Sequence, residues 1–83
     1  MDRTEVENRV KKVIASVLKI NEGNISSEAN FIFDLGADSL QSLQLVAGFE
    51  EEFDIEMDED AALGVHSVSE AVNFIKTYVD VKV

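Results

Sequence analysis

Apolar residues spaced three and four apart set the strongest constraint on how this chain folds. Val6, Val10, Val13, Ile14, Val17 and Leu18 recur at i, i+4, i+7, i+8, i+11 and i+12. That spacing follows 3.6 residues per turn and puts all six on one stripe of a helix. Val68, Ala71, Val72, Ile75 and Val79 repeat the pattern near the other end. No segment shows the two-residue alternation of a half-buried strand, and there is no proline. With 83 residues, no cysteine and 46% hydrophobic residues, the chain has material for one small core closed by packing alone, without disulfides or thiolate metal sites. The pattern predicts an all-α fold: a small four-helix bundle of three longer helices and one short one, as a single domain over residues 1–83.

Local signals set the boundaries. Thr4 and Glu7 have the form of a capping box, in which hydroxyl and carboxylate satisfy free N–H groups at a helix start, and predict a first helix over 4–19 ended by Asn21, Gly23 and Asn24. The long loop that follows, 20–37, carries Ile25, Phe31, Ile32, Phe33 and Leu35. A connection of this length is uncommon unless functional, and these side chains are expected to pin it across the core. Asp38 is a natural N-cap for a second helix reaching Phe53. Asp58 caps a short helix from Glu59 to Leu63 that Gly64 stops. Ser67 and Glu70 open a last helix to about residue 80. Gly48, in the middle of the second helix, is expected to cost ~1 kcal/mol against alanine and to loosen it.

The charge is lopsided. Residues 25–75 hold twelve of the seventeen acidic residues and no Lys or Arg, whereas Arg3, Arg9, Lys11, Lys12 and Lys19 gather in the first segment. A stretch without basic residues cannot neutralise itself through local pairs. Its field repels nucleic acid and anionic lipid and draws basic surfaces toward it. No run approaches the ~20 apolar residues of a membrane span, and the polar opening Asp2-Arg3-Thr4-Glu5 lacks the apolar core of a secretory signal. A soluble monomer is expected, in the cytoplasm or an organelle, with no nucleic-acid partner and no membrane insertion.

The second helix carries one apolar face too many. At about 100° per residue, Leu45, Val46, Phe49 and Phe53 share the side that faces the core. Leu40, Leu43 and Ala47 fall on the other side, beside Gln44 and Glu51. Leu40 is expected to tuck under the long loop. Leu43 with Ala47, bordered by Asp38, Glu50 and Glu51, reads as a docking face, an apolar centre with a charged rim.

Catalytic machinery is hard to find. His66 is the only histidine and reads as a surface or interface side chain. Ser39 lacks the Gly-x-Ser-x-Gly elbow and has no evident base. Asp54, Glu56, Asp58 and Asp60 suggest a calcium loop, but position six is Glu59 rather than Gly and position twelve is Val65 rather than Glu. No specific metal site is expected, only weak divalent binding. Ser39 itself, at the first turn of a helix behind a Gly-Ala-Asp turn, is well placed to be acted upon by another protein.

Asp34-Leu35-Gly36-Ala37-Asp38-Ser39-Leu40 resembles the attachment motif of acyl carrier proteins, in which Asp-Ser-Leu is the central signature. The resemblance covers about residues 4–79, through Val10 to Ile14, Phe31, Glu50-Glu51-Glu52-Phe53 and the segment from Val68 to Tyr78. It implies a non-catalytic carrier. A phosphopantetheinyl transferase would place 4′-phosphopantetheine covalently on Ser39, and acyl cargo would ride as a thioester on the distal thiol in fatty acid or related lipid or polyketide biosynthesis. It further implies that Asp38, Leu40, Leu43, Ala47, Glu50 and Glu51 dock acyl synthases and transferases with basic patches. Leu45, Phe49, Val68 and Ile75 would then shelter the acyl chain. Gln41 and Gln44 stand where housekeeping carriers usually have carboxylates, and Met57-Asp58 replaces a hydrophobic-Pro step, which points to a specialised carrier. The alternatives are a peptidyl or D-alanyl carrier and, from another class, a cofactor-free acidic adaptor. Self-repulsion across residues 25–75 predicts marginal stability near neutral pH; the melting temperature should rise with added magnesium, and an unchanged melting temperature contradicts the prediction.

Overall fold

The computed structural model describes residues 2–81. Met1, Lys82 and Val83, the ends of the expected 1–83 domain, lie outside the described residues. Among the described residues four α-helices follow one another: α1 (Arg3–Leu18), α2 (Ser39–Phe53), α3 (Glu59–Leu63) and α4 (Val68–Val81), with one 3₁₀ turn (Glu22–Asn24) after α1. The all-α reading of three longer helices and one short one therefore holds. Helix α1 starts earlier than the Thr4–Glu7 pattern suggested. Asp2 is the cap, its carboxylate accepting the Glu5 N–H at 2.9 Å, so Thr4 lies inside the first turn. An aspartate cap also complements the positive end of the helix dipole. At the other end Lys19 takes the left-handed conformation (φ 57°) and its N–H donates to the Ala15 carbonyl. Asn21 and Gly23 belong to the following 3₁₀ turn instead.

The helical stripes meet as their spacing requires. Val6, Val10, Val13 and Ile14 of α1, Leu45, Phe49 and Phe53 of α2, and Val68, Ala71, Val72 and Ile75 of α4 are buried together. Polar contacts tie the outer turns of α1. Arg3 donates to Asn73 and to Ser69 on α4. Arg9 lies 3.6 Å from Glu52, with its guanidinium 5.8 Å from the centre of the Phe53 ring. A hydrogen bond from Ser27, aided by Lys11 at 3.3 Å, holds the Glu7 carboxyl below its ordinary value. Among the described residues no helix is long and apolar enough to cross a membrane.

The long loop is held by backbone bonds as well as by side chains. Ile25, Ala29 and Phe31 are buried, and three hydrogen bonds join this segment to the start of α4. Phe31 N–H donates to His66 O at 2.9 Å, Val68 N–H to Ala29 O at 3.0 Å, and Ser69 N–H to Ser27 O at 2.8 Å. The expectation that Ile32 and Phe33 help pin the loop is wrong: they are 54% and 88% exposed. The cause is a side-chain turn at Asn30, whose Oδ1 accepts the N–H groups of both residues at 2.9 Å. Such a turn substitutes for backbone pairing and swings the next residues outward.

Gly48 also acts differently from its expected loosening role. A Cβ built there would come within 2.7 Å of Val13 Cγ1, so the missing side chain is what allows α1 and α2 to pack closely. Overpacking by one carbon typically costs 1–3 kcal/mol, against ~1 kcal/mol recovered in helix propensity. Gly48→Ala should therefore lower stability by roughly 1 kcal/mol in the native background. With Val13→Ala already present it should raise stability by about the same amount. Denaturant unfolding of the four proteins measures both, and a gain in both backgrounds would contradict the crowding.

Candidate functional site

Ser39 is presented by a turn that the sequence builds residue by residue. Asn30 N–H donates to Asp34 Oδ2 at 2.7 Å. The Asp34 and Leu35 N–H groups both return to Asn30 O at 3.0 Å, and Ala37 N–H reaches Phe31 O at 2.8 Å. Gly36 makes the reversal with φ +75°, a conformation that costs glycine nothing and strains residues with a Cβ. Ala37 is then buried, which plugs the turn into the core. Asp38 caps α2: its Oδ1 accepts the Gln41 N–H at 2.8 Å, and Gln41 Oε1 accepts the Asp38 N–H at 3.2 Å. This reciprocal box explains a glutamine at that position, since amide and carboxylate serve equally as its second half. Ser39 is the first residue of α2 and is exposed. It stands at a helix N-terminus, where free N–H groups and the dipole favour a negative ligand.

Beside the serine opens a cavity of about 320 Å³. Its exposed rim is Ile32, Ser39, Leu43, Leu63 and His66; its buried floor is Phe31, Leu45, Phe49, Met57, Ala62, Ala71 and Ile75. Ser42, Val46, Val65 and Phe74 complete the wall. Of the four residues expected around an acyl chain, Leu45, Phe49 and Ile75 line it. Val68 does not: it is fully buried in the helical core. Most of the floor and wall was missed. Met57 and Ala62 lie around a five-residue helix, too short for periodicity to assign a face.

The expected docking residues fall into different settings. Asp38, Leu40, Leu43, Ala47 and Glu51 are exposed. Leu40 is 65% exposed rather than tucked under the loop. Leu43 belongs to the cavity rim. Glu50 is half-buried and its Oε2 accepts the Met57 N–H at 2.8 Å, so this carboxylate also fixes the link into α3. Asp58 caps α3 through its side chain, while its own N–H donates to the Tyr78 hydroxyl at 3.1 Å. A proline at that position would have no such donor.

His66 lies on the rim, with its backbone N–H 3.5 Å from a Glu70 carboxylate oxygen and its carbonyl accepting from Phe31. Among the described residues no three His, Cys, Asp or Glu side chains are grouped to hold a metal ion.

A family model described as a phosphopantetheine attachment site matches residues 8–75. That span contains Ser39 and every residue lining the cavity. The cap at Asp38 offers a test of how the serine is held. Asp38→Ala should cost about 1 kcal/mol of stability, whereas Asp38→Asn, which keeps the capping oxygen, should cost only a few tenths. Equal losses in thermal unfolding would show that charge, not the cap, sets the effect.

Proposed function

The chain belongs to the phosphopantetheine attachment family, whose members are carriers rather than catalysts and bear 4′-phosphopantetheine covalently; from this we propose that Ser39 is the attachment point and that the cargo is an apolar acyl chain. The setting of Ser39 suits the group. The hydroxyl is exposed on a hydrogen-bonded turn, the positive end of α2 lies beside the position a phosphodiester would take, and the apolar cavity opens next to it. When bound, the group supplies a terminal thiol, which this cysteine-free chain lacks, to hold an acyl group as a thioester. In loading, the Ser39 hydroxyl gives its proton to a separate transferase. Its Oγ takes the phosphorus from the pyrophosphate of coenzyme A, and adenosine 3′,5′-bisphosphate is released.

One observation carries the choice of cargo. The cavity floor is wholly apolar, and among the described residues no polar or charged side chain is buried. A peptidyl or D-alanyl group would place amide dipoles or an ammonium there without partners, a costly burial. An aliphatic chain loses nothing and removes its own surface from water. This supports a carrier for fatty acyl or related lipid or polyketide intermediates. Gln41 and Gln44 leave α2 without carboxylates near the serine and support a specialised set of partners. Asp38, Leu40, Leu43, Ala47 and Glu51 form the docking side in this reading, with the acidic field guiding basic enzymes to it and rim charges acting mainly on association rate. Encounters of that kind are fast, salt-sensitive and short-lived. The domain works as one monomeric unit over residues 1–83.

Incubation with coenzyme A and a phosphopantetheinyl transferase should add one phosphopantetheinyl group, on the peptide containing Ser39, and Ser39→Ala should abolish it. Mass spectrometry of the protein purified from its own cells should show apolar acyl cargo. Absence of labelling favours the cofactor-free adaptor, an aminoacyl or peptidyl cargo overturns the acyl assignment, and a full ladder of housekeeping elongation intermediates contradicts specialisation.

A further inference from the structure

The large apolar side chains exposed among the described residues are Ile32, Phe33, Leu40, Leu43 and Leu63. Ile32, Leu43 and Leu63 share the cavity rim with Ser39; Leu40 follows it in the chain and Phe33 follows Ile32. Phe33 is the extreme case at 88% exposure. It sits in a backbone turn closed on itself, with its N–H donating to Asn30 Oδ1 and Gly36 N–H donating back to Ile32 O at 3.2 Å. An aromatic ring on a fixed turn offers large contact area with only two side-chain torsions to freeze.

The surrounding charge selects what covers it. Asp34 and Asp38 flank the patch, within a stretch of twelve carboxylates and no Lys or Arg. A second copy of the chain and an anionic lipid surface are both repelled by that field, and a cationic protein surface is attracted. The protein that must approach here is one that reaches the Ser39 hydroxyl. We infer that Phe33 is the apolar anchor for the transferase that loads Ser39, inserting into an apolar pocket rimmed by Lys or Arg. Recognition is thereby extended from α2 to the turn that precedes the serine. The inference rests on Ser39 being the acceptor hydroxyl. Anchors of this type are few, aromatic and placed at the centre of an interface.

The test is steady-state loading of the full chain with coenzyme A and the phosphopantetheinyl transferase of its own organism. Phe33→Ser should raise KM for the chain about fivefold or more with kcat unchanged. Its melting temperature should stay that of the native chain, since the ring is solvated. Phe33→Leu, which keeps an apolar side chain, should remain within about twofold of native KM. A smaller rise in Phe33→Ser while the native chain is still labelled on Ser39 overturns the anchor and leaves the attachment site standing. A native chain that is not labelled on Ser39 overturns both. Self-association in sedimentation, or binding to phosphatidylcholine vesicles, that is lost in Phe33→Ser would assign the patch to a second copy or to lipid and also overturn the inference.

Discussion

The three backbone hydrogen bonds between residues 27–31 and 66–69 are the constraint on which the rest of the structure depends. They fasten the long loop to the start of α4, and with Ile25, Ala29 and Phe31 buried the loop becomes a wall of the core. Each bond satisfies loop groups that would otherwise be costly to place against an apolar interior. Because Phe31 is fixed at one end, the Asn30–Gly36 turn has a firm base, and Ala37 and Asp38 arrive at α2 in one orientation. The position of Ser39 thus follows from pairing some ten residues away in the loop and at the far end of the chain. The same fastening brings Phe31 and His66 to the cavity that α2, α3 and α4 complete.

Packing and charge divide the labour. Half-buried carboxylates have partners: Glu7 is held by Ser27 and Lys11, and Glu50 by the Met57 N–H, while the exposed Asp58 caps α3. Asp38 combines a cap for α2 with exposure beside the serine. A field built from exposed carboxylates acts over about 10 Å at moderate salt, which suits approach and release rather than lasting association. The missing side chain at Gly48 lets α1 approach α2 closely, and the opposite side of α2 frames the cavity.

Helix content and the core stripes were legible in the sequence because 3.6-residue periodicity and caps such as Asp38 and Asp58 are local signals. Ser39 could be singled out for the same reason: the Gly-Ala-Asp turn and the cap lie next to it. The misses were non-local. Nothing in Gly48 itself announces Val13 across an interface. Asn30 gives no sign, from its neighbours alone, that its side chain will send Ile32 and Phe33 outward. Val68 and Ile75 share one stripe, but the cavity reaches only Ile75 because its floor is completed by Met57 and Ala62 from the short α3 region. Which apolar residues line a space, rather than fill one, depends on how three elements meet.

The central claim is that an acyl group tethered at Ser39 is received by the cavity between α2, α3 and α4. Methyl NMR spectra of the chain with and without an octanoyl group on its attached arm test it directly. The account predicts shifts and new contacts to the chain at Leu45, Val46, Ala62 and Ile75, with Val10 and Val17 of α1 unchanged. Perturbation confined to the surface around Ser39, with no contact to those four residues, would contradict it.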